Sequence, residues 1–106
     1  MARVLINLPT CAKRGEVIEI KTLIAHPMET GYRVGPTGAA IPRDIINRFT
    51  CTYNGEEVFR ADLHPAIAAN PFIAFFTVAT ESGELAFSWT DDHGETQTEV
   101  RQITVE

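Results

Sequence analysis

The stretch IINRFTCTYNGEEVFRADL, Ile45 to Leu63, reads as a β-hairpin. From Ile45 to Tyr53, the residues Ile45, Phe49, Cys51 and Tyr53 fall on one face and Arg48, Thr50 and Thr52 on the other. That two-residue period is the pattern of a strand with one side buried. Asn54-Gly55 then offers the two positive-φ positions of a type I′ turn, the strongest turn signal in the chain. Glu56 to Leu63 returns with Phe59, Ala61 and Leu63 inward.

Strand patterns continue on both sides of the hairpin. Upstream, Arg3 to Leu8 is a short strand ended by Pro9, which cannot donate to a ladder. Thr10 to Gly15 reads as a polar turn. Glu16 to Ala25 alternates, with Ile18, Ile20, Thr22 and Ile24 opposite Glu19 and Lys21. Downstream, His64 to Asn70 is Ala-rich and suits one helical turn. Pro71 to Thr80, Glu84 to Asp91 and Glu95 to Val105 are strands, separated by Ser82-Gly83 and by a tight turn at His93-Gly94. Leu85, Phe87 and Trp89 share a face. About seven short strands with turns between them, and no amphipathic helix, indicate an all-β fold, an immunoglobulin-like antiparallel β-sandwich. The antibody disulfide pattern is absent. The whole of 1–106 is expected to form one domain.

Between Glu16–Ala25 and the hairpin runs HPMETGYRVGPTGAAIPRDIINRF, His26 to Phe49, with three Gly and three Pro. Connections in compact domains are usually about 4–6 residues, and long ones tend to be functional. This one carries His26, Met28, Glu29, Tyr32, Arg33, Arg43 and Asp44, which sets it apart from a Gly/Ser linker. It reads as a recognition loop on a rigid scaffold, although Pro and Gly alone also account for its shape.

The strand PFIAFFTVA departs from simple alternation. Phe72, Phe76 and Val78 lie on one face and Ile73, Phe75 and Ala79 on the other, so both are apolar. A sandwich strand needs one buried face. Either the long loop folds over the second face or a partner protein covers it.

Composition narrows the function. The 106 residues are 44% hydrophobic, enough for a real core. The net charge is −5 and the nine Lys and Arg are spread along the chain, which disfavours nucleic acid. No apolar run approaches the roughly 18–20 residues of a membrane span. The opening MARVLINLPT does not read as a secretory signal peptide.

No catalytic constellation is visible. Cys51 could pair with His26 as nucleophile and base, but its face, shared with Phe49 and Tyr53, marks it as a buried, inert thiol. Cys11 beside Lys13 and Arg14 sits where a thiolate would be favoured. Spacing neither requires nor forbids a Cys11–Cys51 bridge. His26, Met28 and Glu29 with His64 or His93 offer a soft metal set, without the spacing of known ligand motifs. Asp91-Asp92-His93-Gly94 resembles a fragment of a calcium loop but lacks the remaining oxygens. A binding module is favoured over an enzyme, and no cofactor is expected. A metal- or small-ligand-binding sandwich is the alternative.

Several blocks together resemble the SoxZ family, the small subunit of the SoxYZ sulfur-compound carrier complex. They are His26-Pro27-Met28-Glu29-Thr30-Gly31, Ile41-Pro42-Arg43-Asp44-Ile45-Ile46, and Phe49-Thr50-Cys51-Thr52-Tyr53-Asn54-Gly55 with Val58-Phe59. Ala68-Ala69-Asn70-Pro71-Phe72 and Trp89-Thr90-Asp91-Asp92-His93-Gly94 complete the set. The likeness runs from about Gly15 to about Val105. The tip VGPTGA departs from the more charged loop of the family.

The resemblance implies an immunoglobulin-like sandwich paired as a heterodimer with SoxY. SoxY carries sulfur intermediates of thiosulfate oxidation on the cysteine of a flexible Gly-Gly-Cys-Gly-Gly arm. It implies transient contact with other sulfur-oxidation proteins and export to the periplasm together with SoxY, without a signal peptide of its own. The chain ends QITVE, with no such arm, and so resembles the non-carrying subunit. On this reading Ile73 and Phe75 face SoxY or the long loop, while Phe72, Phe76, Phe87 and Trp89 fill the core. His26, Met28, Glu29, Tyr32, Arg33 and Arg43 belong to the surface offered to SoxY or to visiting enzymes.

Overall fold

In the computed structural model, which describes residues 2–64 and 69–106, the hairpin is present as β4 (Ile46–Tyr53) and β5 (Glu56–Asp62). Asn54 and Gly55 have φ of 49° and 85°, the left-handed pair that a two-residue type I′ turn needs. Asn54 also fastens the turn to the neighbouring strand. Its N–H donates to the Glu84 carbonyl at 2.8 Å, and its Oδ1 accepts the Glu84 N–H at 2.9 Å. A Cβ at Gly83 would lie 1.9 Å from that Oδ1, so the close approach needs glycine there.

The other strands are β1 (Val4–Asn7), β2 (Cys11–Ala12), β3 (Val17–Ile24), β6 (Phe72–Val78), β7 (Gly83–Asp91) and β8 (Thr96–Val105). Two sheets form, a three-stranded one in the order β1-β3-β6 and a five-stranded one in the order β2-β8-β7-β4-β5. No helix occurs among the described residues. The architecture is the all-β, immunoglobulin-like sandwich anticipated from the sequence, with one strand more. The extra strand is β2, expected as part of a polar turn. Pro9 ends β1, the chain crosses to the other sheet, and Cys11–Ala12 pairs in parallel with Thr104–Val105. Ala12 is buried there, and the Glu106 N–H donates to its carbonyl at 3.0 Å. The helical turn expected over His64–Asn70 rests on residues 65–68, which lie outside the described residues.

Rings close the space between the sheets. Phe49 lies within 5.2–6.4 Å, centroid to centroid, of Phe59, Phe75, Phe87 and Trp89. Phe59 of the five-stranded sheet stacks on Phe75 of the other at 4.4 Å and 10°. Aromatic pairs at such distances add to the transfer free energy of their buried area.

The two faces of β6 are the reverse of the expectation. Phe75 is buried and Ile73 partly buried against the core, whereas Phe72 and Phe76 are 60% and 64% exposed. Register explains it. Phe75 pairs with Ile20 and Ile73 with Thr22, both on the inward row of β3, while Phe76 pairs with Glu19 and Phe72 with Leu23. Directly opposed residues share a face of the sheet, so the carboxylate of Glu19 holds Phe76 on the solvent side.

Candidate functional site

Two surfaces lie outside the core, and they meet where β3 ends. The first is the segment 26–44, which is ordered and hairpin-like. Glu29 and Asp44 exchange both backbone N–H···O bonds at 2.8 Å. Further out, the Ile41 N–H donates to the Arg33 carbonyl at 2.8 Å and the Gly35 N–H to Ala39 at 2.9 Å. At the base, the Asn70 N–H donates to the His26 carbonyl at 2.7 Å, and Asn70 Oδ1 accepts the His26 N–H at 2.9 Å. The arm therefore leaves beside the start of β6.

Met28 pins the arm to the core. It is buried at φ 52°, and its Sδ accepts the Ile46 N–H at 3.2 Å. Expected on the partner surface, Met28 is instead an anchor. Glu29 pairs with Arg33 through both Nε and Nη2, and the Arg33 hydrogen bond holds the Glu29 carboxyl below the usual carboxylate range. Tyr32 is 84% exposed at the bend. Arg43 reaches the β7–β8 turn, donating from Nε to Asp92 Oδ2 at 2.8 Å and from Nη2 to Asp92 Oδ1 at 2.9 Å. Asp92 also accepts from the Ile45 N–H and from Asn47 Nδ2. The Arg43 hydrogen bond is the largest cause that holds its carboxyl well below the ordinary value.

Beneath this clamp the His26 side chain is largely covered. Its Nδ1 accepts the Met28 N–H at 3.2 Å, and its Nε2 lies 3.7 Å from Asp44 Oδ1. His93 Nε2 lies 3.4 Å from the same oxygen. That oxygen is buried and accepts no hydrogen bond. The candidate metal set His26, Met28 and Glu29 is not assembled, because Sδ faces Ile46 and the Glu29 carboxylate faces Arg33. The structure gathers His26, Asp44 and Asp91 instead. Asp44 and Asp91 were missed as partners of His26 because they sit on three separate segments, with no local spacing to link them.

The second surface is the outer face of the three-stranded sheet. Leu5 pairs with Leu23, Leu23 with Phe72, and Val17 with Val78. Leu5, Val17, Phe72, Phe76 and Val78 are all exposed. The Lys21–Glu19 pair at 3.6 Å is the charge among them. The arm does not fold over this face, so the first of the two explanations for PFIAFFTVA falls. Ile73 and Phe75, the β6 residues expected to meet a partner or the long loop, point inward, while Phe72 and Phe76, expected in the core, face out.

The cysteines carry no nucleophilic site. Burial pushes the Cys51 thiol up to about 12, as befits an inert core residue. Cys11 is exposed, but its Sγ lies 3.7 Å from Glu106 Oε1. Desolvation and then the Glu106 carboxylate raise its pKa, the opposite of the activation expected from Lys13 and Arg14.

A family profile described as sulphur oxidation protein SoxZ matches residues 6–102. The chain belongs to the SoxZ family. No curated protein matches the sequence. Among solved structures, superoxide reductase (neelaredoxin) from Ignicoccus hospitalis superposes with a TM-score of 0.76 at 17% identity, covering 99% of this chain and 82% of that one. The sulfur carrier protein SoxY from Chlorobium limicola f thiosulfatophilum superposes with a TM-score of 0.66 at 14% identity, covering 96% of this chain and 74% of that one. Identities this low show a shared fold and nothing of chemistry. The SoxZ match spans both surfaces, the arm and the outer face of β6.

Proposed function

We propose that this SoxZ-family chain is the non-catalytic subunit of a periplasmic SoxYZ-type carrier complex. It binds SoxY, which holds the sulfur-carrying cysteine, and helps present that cysteine to sulfur-oxidation enzymes. The observation that supports this most is the outer face of the three-stranded sheet. Phe72, Phe76 and Val78 stand exposed on β6, a strand that ends its sheet, beside Val17 and Leu23 of β3 and Leu5 of β1, with the Lys21–Glu19 pair between the two β3 residues. β6 carries no charge and no proline, the devices that protect edge strands. By contrast β5, an end strand of the five-stranded sheet, carries Glu56, Glu57, Arg60 and Asp62. An uncovered apolar face beside an unprotected edge suits a stable partner, and large exposed aromatics are the residue type that dominates binding.

The arm has a different part. Held by Met28, Arg43 and Asn70, it stands beside the Phe72 end of the apolar face. Its exposed Tyr32 and Val34 are placed to touch SoxY or a visiting enzyme. Native mass spectrometry of the chain co-expressed with its SoxY-like neighbour tests the assignment. A stable one-to-one species supports it, and a chain that stays alone under the same conditions removes it.

A further inference from the structure

We propose that His26, Asp44 and Asp91 form a site for a divalent first-row cation such as Zn2+, with His93 at its rim. One ligand atom from each of the three residues lies within 4.8 Å of the others. In a tetrahedral site with metal–ligand bonds of about 2.0–2.1 Å, neighbouring donors stand about 3.3–3.4 Å apart. Asp44 Oδ1 lies 3.7 Å from His26 Nε2 and 3.4 Å from His93 Nε2, close to that edge. These contacts do not satisfy it, since the oxygen is buried and takes no hydrogen bond. A buried carboxylate oxygen normally has a donor, and a cation supplies what the two imidazoles do not.

The surrounding charges agree. Arg43, the arginine next in sequence to Asp44, is committed to Asp92 through both prongs and does not neutralise Asp44. Asp91 is oriented by its turn, where Oδ1 accepts the His93 and Glu95 N–H groups at 2.9 and 3.0 Å. His26 and Asp91 also line a recess with Ala2, Gln97 and Thr98, which gives a cation and its waters a way in. Imidazole with carboxylate suits zinc, iron or manganese rather than a soft thiolate metal.

Binding has a readable cost. With Nδ1 accepting from Met28, the neutral His26 ring carries its proton on Nε2. Ligation through Nε2 moves that proton to Nδ1, so the Met28 N–H loses its acceptor and its environment changes.

The test uses the full chain with Cys11→Ser, which removes the exposed thiol as a competing ligand, stripped of metal and titrated with Zn2+ near neutral pH. Calorimetry is expected to show one saturable site, weakened at least tenfold by Asp44→Asn and by His26→Gln, several-fold by His93→Ala, and unchanged by His64→Ala. The Met28 amide resonance is expected to move with the first equivalent. If Asp44→Asn fails to fold, the exposed His93→Ala variant and the Met28 resonance decide. No saturable binding, binding indifferent to His26 and His93, or a Met28 amide that stays put overturns the proposal. The chain is used alone, so the outcome is independent of SoxY.

Discussion

Arg43 and Asp92, 49 residues apart, join the arm to the β7–β8 turn through two hydrogen bonds of 2.8 and 2.9 Å. The same carboxylate receives the Ile45 N–H and Asn47 Nδ2, so one side chain holds the end of the arm, the start of β4 and the turn together. Asp92→Asn leaves its partners facing a group that is part donor. The loss is expected at about 1–3 kcal/mol by urea denaturation. Amide exchange at Glu29 and Asp44, whose backbones pair across the arm, should quicken before that of β4.

Acid should loosen the same corner. The folded Asp92 carboxyl lies below the usual 3.8, with the Arg43 hydrogen bond as the largest cause, and Glu29 lies below the usual 4.5 because of Arg33. Both groups give up protons more readily in the folded chain than in the unfolded one. Their contribution is complete above about pH 5 and fades as the pH falls through the folded values. Thermal unfolding followed from pH 7 downward should show a Tm that declines below about pH 5, and Asp92→Asn should flatten the decline.

Phe75 and Phe76 are neighbours with opposite fates. Phe75→Ala should cost about 3–5 kcal/mol, since it empties the stack with Phe59 and the contact with Phe49. Phe76→Ala should stay within about 0.5 kcal/mol in the isolated chain. Denaturant midpoints of the two variants separate the alternatives, and equal losses would mean that β6 presents its other face.

Thiol chemistry should distinguish the cysteines without detecting a reactive one. Iodoacetamide is expected to label Cys11 slowly near neutral pH, faster as pH rises past its ordinary 9.0, and faster again in Glu106→Gln. Cys51 should label after unfolding, because burial holds it at about 12. Mass spectrometry of the labelled protein reads both.

The hairpin, the sandwich and the inward row Leu85, Phe87, Trp89 were legible in the sequence because each rests on local alternation and turn chemistry. β2 was not, because a two-residue parallel pairing has no period. PFIAFFTVA showed that β6 has two apolar faces but not which is buried. Its partner on β3 decides that, through Ile20 opposite Phe75 and Glu19 opposite Phe76. The arm was legible as a long connection between two strands from its Gly and Pro residues and its lack of a strand period. The role of Met28 as an anchor and the gathering of His26, Asp44 and Asp91 depend on contacts between distant segments.

The central claim, that the outer face of the three-stranded sheet receives SoxY, is tested most directly by measuring the affinity of the SoxY-like partner for Phe76→Asp and for Val100→Asp. Val100 is a matched control, an exposed apolar residue at 42% on β8 of the other sheet. An aromatic that anchors an interface contributes about 2 kcal/mol or more, so Phe76→Asp should weaken binding about thirtyfold or more while Val100→Asp leaves it unchanged. Unaltered binding by Phe76→Asp, or an equal loss from Val100→Asp, would contradict the account.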